Sequence, residues 1–199
     1  AFKPRIWPLV LSAGISAATA TDLSEVVLAN GELAPRWDAG IGAFDEALDY
    51  GNCMNDGGAG CPTVDWGWVS NPEKGSVLRA SWASNGQHAG VYFQSSTPQD
   101  FSTYAKGYLE FDIRTVTGAT DLVMKVDCVW PCSSGDQRLT GRVTSQWQRV
   151  SVPISRLVSG GLELAYVDTG LVFWPADRVA VDLEIDNIIW RTSDPVTDT

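Results

Sequence analysis

The chain has 199 residues, with nine tryptophans, nineteen glycines, ten prolines, 44% hydrophobic residues, and 14 Lys+Arg against 24 Asp+Glu for a net charge of −10. This composition suits one packed domain with many tight turns and excludes a disordered or coiled-coil chain. The negative surface repels phosphate backbones, which disfavours nucleic acid as a partner, and no segment is long and apolar enough to span a bilayer as a helix.

In chain order, Lys3 and Arg5 precede an apolar run over residues 6–15, and Ala18-Thr19-Ala20 supplies the small-x-small pattern of a signal-peptidase site. Pro8 interrupts the run and the sequence begins at Ala1. Residues 1–20 therefore read equally as an export signal or as a linker or first strand of a longer polypeptide. Residues 25–33 predict a strand that turns at Asn30-Gly31. Residues 37–62 are rich in Gly and Asp without periodicity, and predict a long ordered loop pinned by Cys53–Cys61.

Strand-like runs follow at residues 65–69, 76–83, 90–94, 107–116, 121–129, 148–153, 169–173 and 179–190. Leu109, Phe111 and Ile113 alternate with Glu110, Asp112 and Arg114, the period of a half-buried strand. Only residues 101–105 and 154–159 look helical, and residues 193–199 read as a polar tail. About eight to ten strands with almost no helix predict an all-β sandwich or jelly roll of two antiparallel sheets over residues 21–192.

Cys53 and Cys61 form one close pair and Cys128 and Cys132 another, so two local disulfides are the simplest connectivity. Zinc is disfavoured, because His88 is the single histidine and no ligand cluster surrounds the cysteines. Disulfides and a possible leader both point to a secreted or periplasmic protein.

The tryptophans carry the functional reading. A domain of this size needs a few indoles in its core, and the surplus offers flat apolar surface of the kind that stacks on sugar rings or bases. The acidic charge favours neutral carbohydrate. Trp37, Trp82, Trp147 and Trp190 occupy strand positions that predict core. In the D-W-G-W run, Trp66 and Trp68 share one face roughly 7 Å apart. They are either a platform for neighbouring sugar units or part of the inner face.

Trp130 sits inside the Cys128–Cys132 loop beside Pro131, where a tight ring leaves little room for burial, so it is expected to be an exposed stacking ring. Trp174, before Pro175, is a weaker case of the same kind. Gln94, Lys125, Asp127, Gln137 and Arg138 are candidates for orienting sugar hydroxyls, although each also reads as ordinary surface. No nucleophile-elbow, zinc-protease or phosphate-loop motif occurs, and no spacing selects a catalytic pair of carboxylates, so the expectation is a protein that is not an enzyme.

Three fragments in order, LVMKVDCVWPCSSGD (residues 122–136), WQRVSVPISRLVSGGLEL (147–164) and VDLEIDNIIW (181–190), carry a family likeness. They resemble the galactose-binding-domain-like jelly roll at the C-terminus of marine bacterial exo-1,3/1,4-beta-glucanases of glycoside hydrolase family 3, and carbohydrate-binding modules more broadly. The resemblance spans residues 25–191. It implies a β-sandwich, a polysaccharide or oligosaccharide ligand with beta-1,3-glucan such as laminarin first, a catalytic glycoside hydrolase domain in the same polypeptide, and structural calcium (Ca2+). Asp186 in EIDNI matches the family position that holds the ion, with Glu32 in the first strand as its partner. The alternative is that Asp186 caps a turn or pairs with an arginine.

Two rival functions stay open: a docking domain without its own sugar site, and a small polysaccharide-degrading jelly roll. A binding module should show two or three solvent-facing indoles in one groove. A docking domain should show a broad aliphatic patch, and an enzyme a cleft with paired carboxylates.

Overall fold

The computed structural model describes residues 22–43, 64–83 and 89–192. Within them the chain forms twelve strands and one α-helix. The strands are β1 (Ser24–Ala29), β2 (Glu32–Leu33), β3 (Trp37–Ala43), β4 (Val64–Asn71), β5 (Gly75–Trp82), β6 (Ala89–Gln99), β7 (Tyr108–Thr117), β8 (Leu122–Cys128), β9 (Gln137–Leu139), β10 (Gln148–Pro153), β11 (Val167–Pro175) and β12 (Val181–Arg191). The helix α1 (Ile154–Ser159) follows Pro153, which holds an extended backbone at its N-cap. The predicted helix at residues 101–105 is a single 3-10 turn, Ser102–Tyr104.

The strands make two sheets packed face to face, the predicted antiparallel sandwich. The first sheet runs β10-β7-β12-β1-β2, with β5 and then β4 added on β12. The second runs β3-β6-β11-β8-β9. Strand β12 can serve two neighbours on one side because it is split: Val181 to Ile185 pair with β5, while Ile188 to Arg191 pair with β1. The break falls at Asn187, whose positive φ of 52° re-aims the strand. Asn30 and Gly31 both take positive φ, 52° and 72°, in the tight turn joining β1 to β2, the backbone that asparagine and glycine tolerate best.

Alternation sets the core. Leu109, Phe111 and Ile113 of β7, Leu183 and Ile185 of β12, Val91 and Phe93 of β6, and Met124 and Val126 of β8 are fully buried between the sheets. Each such side chain contributes about 1.5–3 kcal/mol by leaving water. Aromatic rings tie the ends together: Trp190 lies 4.8 Å from Phe101, and Phe173 lies 5.8 Å from Trp82 and 6.4 Å from Phe93. Trp37, Trp82 and Trp190 are core, as their strand positions predict.

Two expectations change. The start of the predicted 37–62 loop is strand β3, whose Trp37, Ala39 and Ile41 alternate with Asp38, Gly40 and Gly42 along β6. The glycines concealed the period, because they carry no side chain to mark a face. Trp147 is not core; it lies half-buried just before β10, with Lys74 and Arg114 each 5.1 Å from its ring. A cation over an aromatic face is itself stabilising. The Cys53–Cys61 pairing lies outside the described residues.

Candidate functional site

The outward face of the first sheet pairs most of its own charges. Glu184, 1% exposed, accepts from Arg79 at 2.6 Å, Arg114 at 2.9 Å and Asn71 at 2.9 Å. Asp112 accepts from Lys74 at 2.7 Å, from Asn187 at 2.8 Å and from Arg149, and Glu110 pairs with Arg191 at 2.7 Å. Burial alone would raise the carboxyls of Asp112 and Glu184, but the arginines and their other donors hold both below the usual range. This face is a neutralised ionic lattice and offers little to a ligand.

The outward face of the second sheet is different. Register places its side chains in rows across the strands. One row runs Asp38 (β3), Gln94 (β6), Thr169 (β11), Asp127 (β8). The next runs Gly40, Tyr92, Val172, Lys125, and Trp174, Val123 and Arg138 lie in a third. A groove of about 410 Å³ opens on this face, lined by Asp38, Tyr92, Gln94 and Asp168 together with the β6 segment Ser95 to Pro98.

Tyr92 is the aromatic element of the groove. A Cβ on Gly40 would stand 2.5 Å from its hydroxyl oxygen and 2.6 Å from Cζ, and one on Gly42 would stand 3.6 Å from its Cδ1. The ring therefore lies sideways across β3, flat over two glycines. A half-buried phenol held flat against a sheet presents one open π-face. Burial, together with the nearby Asp38, raises its hydroxyl pKa and keeps it protonated.

Acceptors surround the ring. Burial raises the carboxyl of Asp168, and Asp127 adds to the effect, while Thr169 donates to Asp168 at 3.0 Å. Lys125 pairs with Asp127 at 2.9 Å. With one lysine among Asp38, Asp127 and Asp168, the face stays negative. It is built to accept hydrogen bonds from hydroxyls and to repel anions.

The sequence-named residues divide. Gln94, Lys125 and Asp127 lie on this one face, and Arg138 lies at its far side, paired with Asp121 at 3.2 Å. Trp174 has the outward register but is only 5% exposed, so its ring offers no free face. Gln137 is opposite Met124 and turns inward, donating to the Ser134 carbonyl at 3.1 Å. Trp66 and Trp68 do share a face, but it is the inner face of β4: Trp66 is 8% exposed, Trp68 emerges at the rim at 42%, and their rings stand edge to face at 6.3 Å. That arrangement is not a flat platform. Trp130 is 89% exposed within the Cys128–Cys132 ring, whose disulfide forms as expected.

Asp38, Tyr92, Asp168 and Thr169 were not legible as site residues. Their signal was the D-x-G-x-G spacing of residues 38–42, which means something only once β3 is known to lie beside Tyr92.

The calcium expectation meets one favourable feature. Asp186 is fully buried at the β12 break; its Oδ1 accepts from the Gly31 amide at 3.0 Å, whereas its Oδ2 has no hydrogen-bond partner. Burial raises its carboxyl, the state that a bound cation would reverse. Glu32 is exposed, and no group of three or more His, Cys, Asp or Glu is arranged for a metal among the described residues. Asp186 fits an ion whose other oxygens come from the backbone or water.

A family model described as galactose-binding domain-like (Exop_C) matches residues 73–190. The chain belongs to this family. In structure it is similar to an exo-1,3/1,4-beta-glucanase from a Pseudoalteromonas species, with 14% identity, a TM-score of 0.61 and 92% of this chain covered, although the chain spans only 22% of that enzyme. It is also similar to the extra C-terminal domain of this enzyme, solved separately, at 14% identity and a TM-score of 0.60, with 87% of this chain and 95% of that one covered. A family 30 carbohydrate-binding module is similar at 20% identity and a TM-score of 0.61, with 89% of this chain and 91% of that one covered. A family 11 module from Clostridium thermocellum, in complex with a beta-1,3-1,4-mixed-linked tetrasaccharide, is similar at 16% identity and a TM-score of 0.55, with 86% and 96% covered. No curated protein sequence matches the chain.

Proposed function

We propose that this domain is a non-catalytic carbohydrate-binding module that holds an appended glycoside hydrolase, outside the cell or in the periplasm, against a neutral polysaccharide. The observation that carries this reading is Tyr92, laid flat on Gly40 in a groove whose other polar groups are acceptors for hydroxyls. Stacking supplies area at little entropic cost, and Asp38, Gln94 and Asp168 supply direction. The negative face disfavours uronic and sulfated chains. Beta-1,3-glucan such as laminarin, or mixed-linked beta-glucan, is the proposed ligand; the relatives support it, since one is a beta-glucanase and another holds a mixed-linked tetrasaccharide. A structural calcium at Asp186 Oδ2 belongs to the same proposal.

Isothermal titration with laminarin, mixed-linked glucan, agarose and alginate tests it. Heat of binding from a glucan, lost in Tyr92→Ala and absent with alginate, is the expected result. No binding by any of the four to the intact domain would overturn it.

The groove's carboxylates also support a second reading. Asp168, with its raised pKa beside Asp127, has the character of a proton-holding acid. Release of reducing ends from laminarin during the titration, abolished by Asp168→Asn, would replace the binding role with hydrolysis.

A further inference from the structure

Exposed apolar residues lie just past the strand ends that border the groove face. Val167 and Cys128 face each other in register and are buried, at 0% and 2% exposure. Tyr166 closes a 3-10 turn, Leu164–Tyr166, and stands two residues before Asp168 in the chain, and Val129 stands two residues after Asp127, just past the end of β8. The Val129 amide donates to the Tyr166 carbonyl at 3.1 Å, which joins these two positions. Tyr166 is 57% exposed, Val129 48% and Trp130 89%. Beyond the Asp168 and Asp127 end of the polar row, then, the chain carries three exposed apolar residues, one of them an indole standing in water.

The loop that carries that indole is held in place. The Cys128–Cys132 disulfide closes the loop, the Cys128 amide donates to the Cys132 carbonyl at 3.1 Å, and the Cys132 amide donates to the Val129 carbonyl at 3.2 Å. A ring carried on a rigid loop costs less ordering on binding than one on a loose segment. Tyr166 is two residues before Asp168, which lines the groove, and so at most roughly 7 Å from it along the chain; a glycan that leaves the groove past Asp168 comes within reach of it.

We propose that Tyr166 and Trp130, with Val129, form an outlying subsite on which the distal sugar units of a groove-bound glucan stack, so that the domain selects long chains over short ones. This rests on the carbohydrate-binding reading above. The occupant is the same glycan that fills the groove, because Tyr166 and Val129 stand two residues along the chain from Asp168 and Asp127 of the groove face.

The test is affinity against chain length, with laminari-oligosaccharides from the disaccharide to the heptasaccharide and with laminarin, for the intact domain, Trp130→Ala and Tyr166→Ala. Both side chains are exposed, so the variants should keep the thermal midpoint of the parent. The expected result is unchanged affinity for the shortest oligosaccharide that binds and a loss of roughly tenfold for laminarin, within the range of one stacking contact. Equal affinity of parent and variants for laminarin overturns the inference, and so does an equal loss for short and long chains. If the parent is a dimer that Trp130→Ala makes monomeric with glucan affinity intact, these residues form an interface between copies and the inference falls. Failure of the parent to bind any glucan removes the underlying reading instead, and this subsite with it.

Discussion

Tyr92 lies across Gly40, its hydroxyl oxygen 2.5 Å from where a Cβ on that glycine would stand. The absence of one methyl group on β3 thus sets the orientation of an aromatic ring on β6. Gly40→Ala is expected to push the ring off the sheet and weaken glucan binding by about 1–3 kcal/mol, the range of a lost stacking contact. Tyr92→Phe should retain most of the affinity. Calorimetry on both variants checks this; normal binding by Gly40→Ala would show that the flat ring is not the platform.

Glu184 is expected to anchor the first sheet. Glu184→Gln removes the carboxylate that Arg79 and Arg114 share, leaving Arg114 with the more distant Glu73 at 3.7 Å, and should cost about 2–3 kcal/mol, the scale of lost charge-assisted bonds. The folded pKa of Glu184 and of Asp112 lies below the ordinary 4.5 and 3.8. Their stabilisation is therefore complete above those values and is lost as pH falls through the lower folded ones. Urea denaturation at a series of acid pH values should show a steep loss in the parent and a shallower one in Glu184→Gln.

Asp186 has the opposite sign. Its folded pKa is raised above 3.8, so its effect on stability is most favourable at low pH and worsens as pH rises through the raised value. Asp186→Asn should flatten that decline. Calcium should raise the melting midpoint of the parent at neutral pH and leave Asp186→Asn unmoved, as scanning calorimetry with and without chelator would reveal. A parent that ignores calcium means that the buried oxygen holds a proton and no ion.

Asp168 ties affinity to pH. It faces Thr169, Asp127 and the groove, with Lys125 already committed to Asp127 and Asp38 across the row. As pH falls through its raised pKa, the carboxylate takes up a proton and loses acceptor capacity, so glucan affinity should decline there first. Asp168→Asn should bind more weakly at neutral pH and show no such decline; a parent with constant affinity across the acid range would place Asp168 outside the contact.

Most of the fold was legible in the sequence. The two-residue period of Leu109, Phe111 and Ile113 survives folding because a sheet buries one face, and the disulfide loop around Trp130 is local chemistry that burial cannot reverse. Exposure of the other aromatic residues was harder to read. D-W-G-W fixes that two indoles share a side, but whether that side is inner or outer depends on where the second sheet lies. Trp147 looked like core because it precedes Val150 and Val152, yet Lys74 arrives from the β4–β5 hairpin to cover it.

What the sequence determined by itself was periodic and local: strands, turns, an acidic balance hostile to polyanions, and one exposed indole in a cysteine ring. What only the tertiary structure decided was the site. Asp38, Tyr92, Thr169 and Asp127 come from four strands spread over 132 residues of chain, 38 to 169. They meet in rows because hydrogen-bonded register, not sequence spacing, sets neighbours across a sheet.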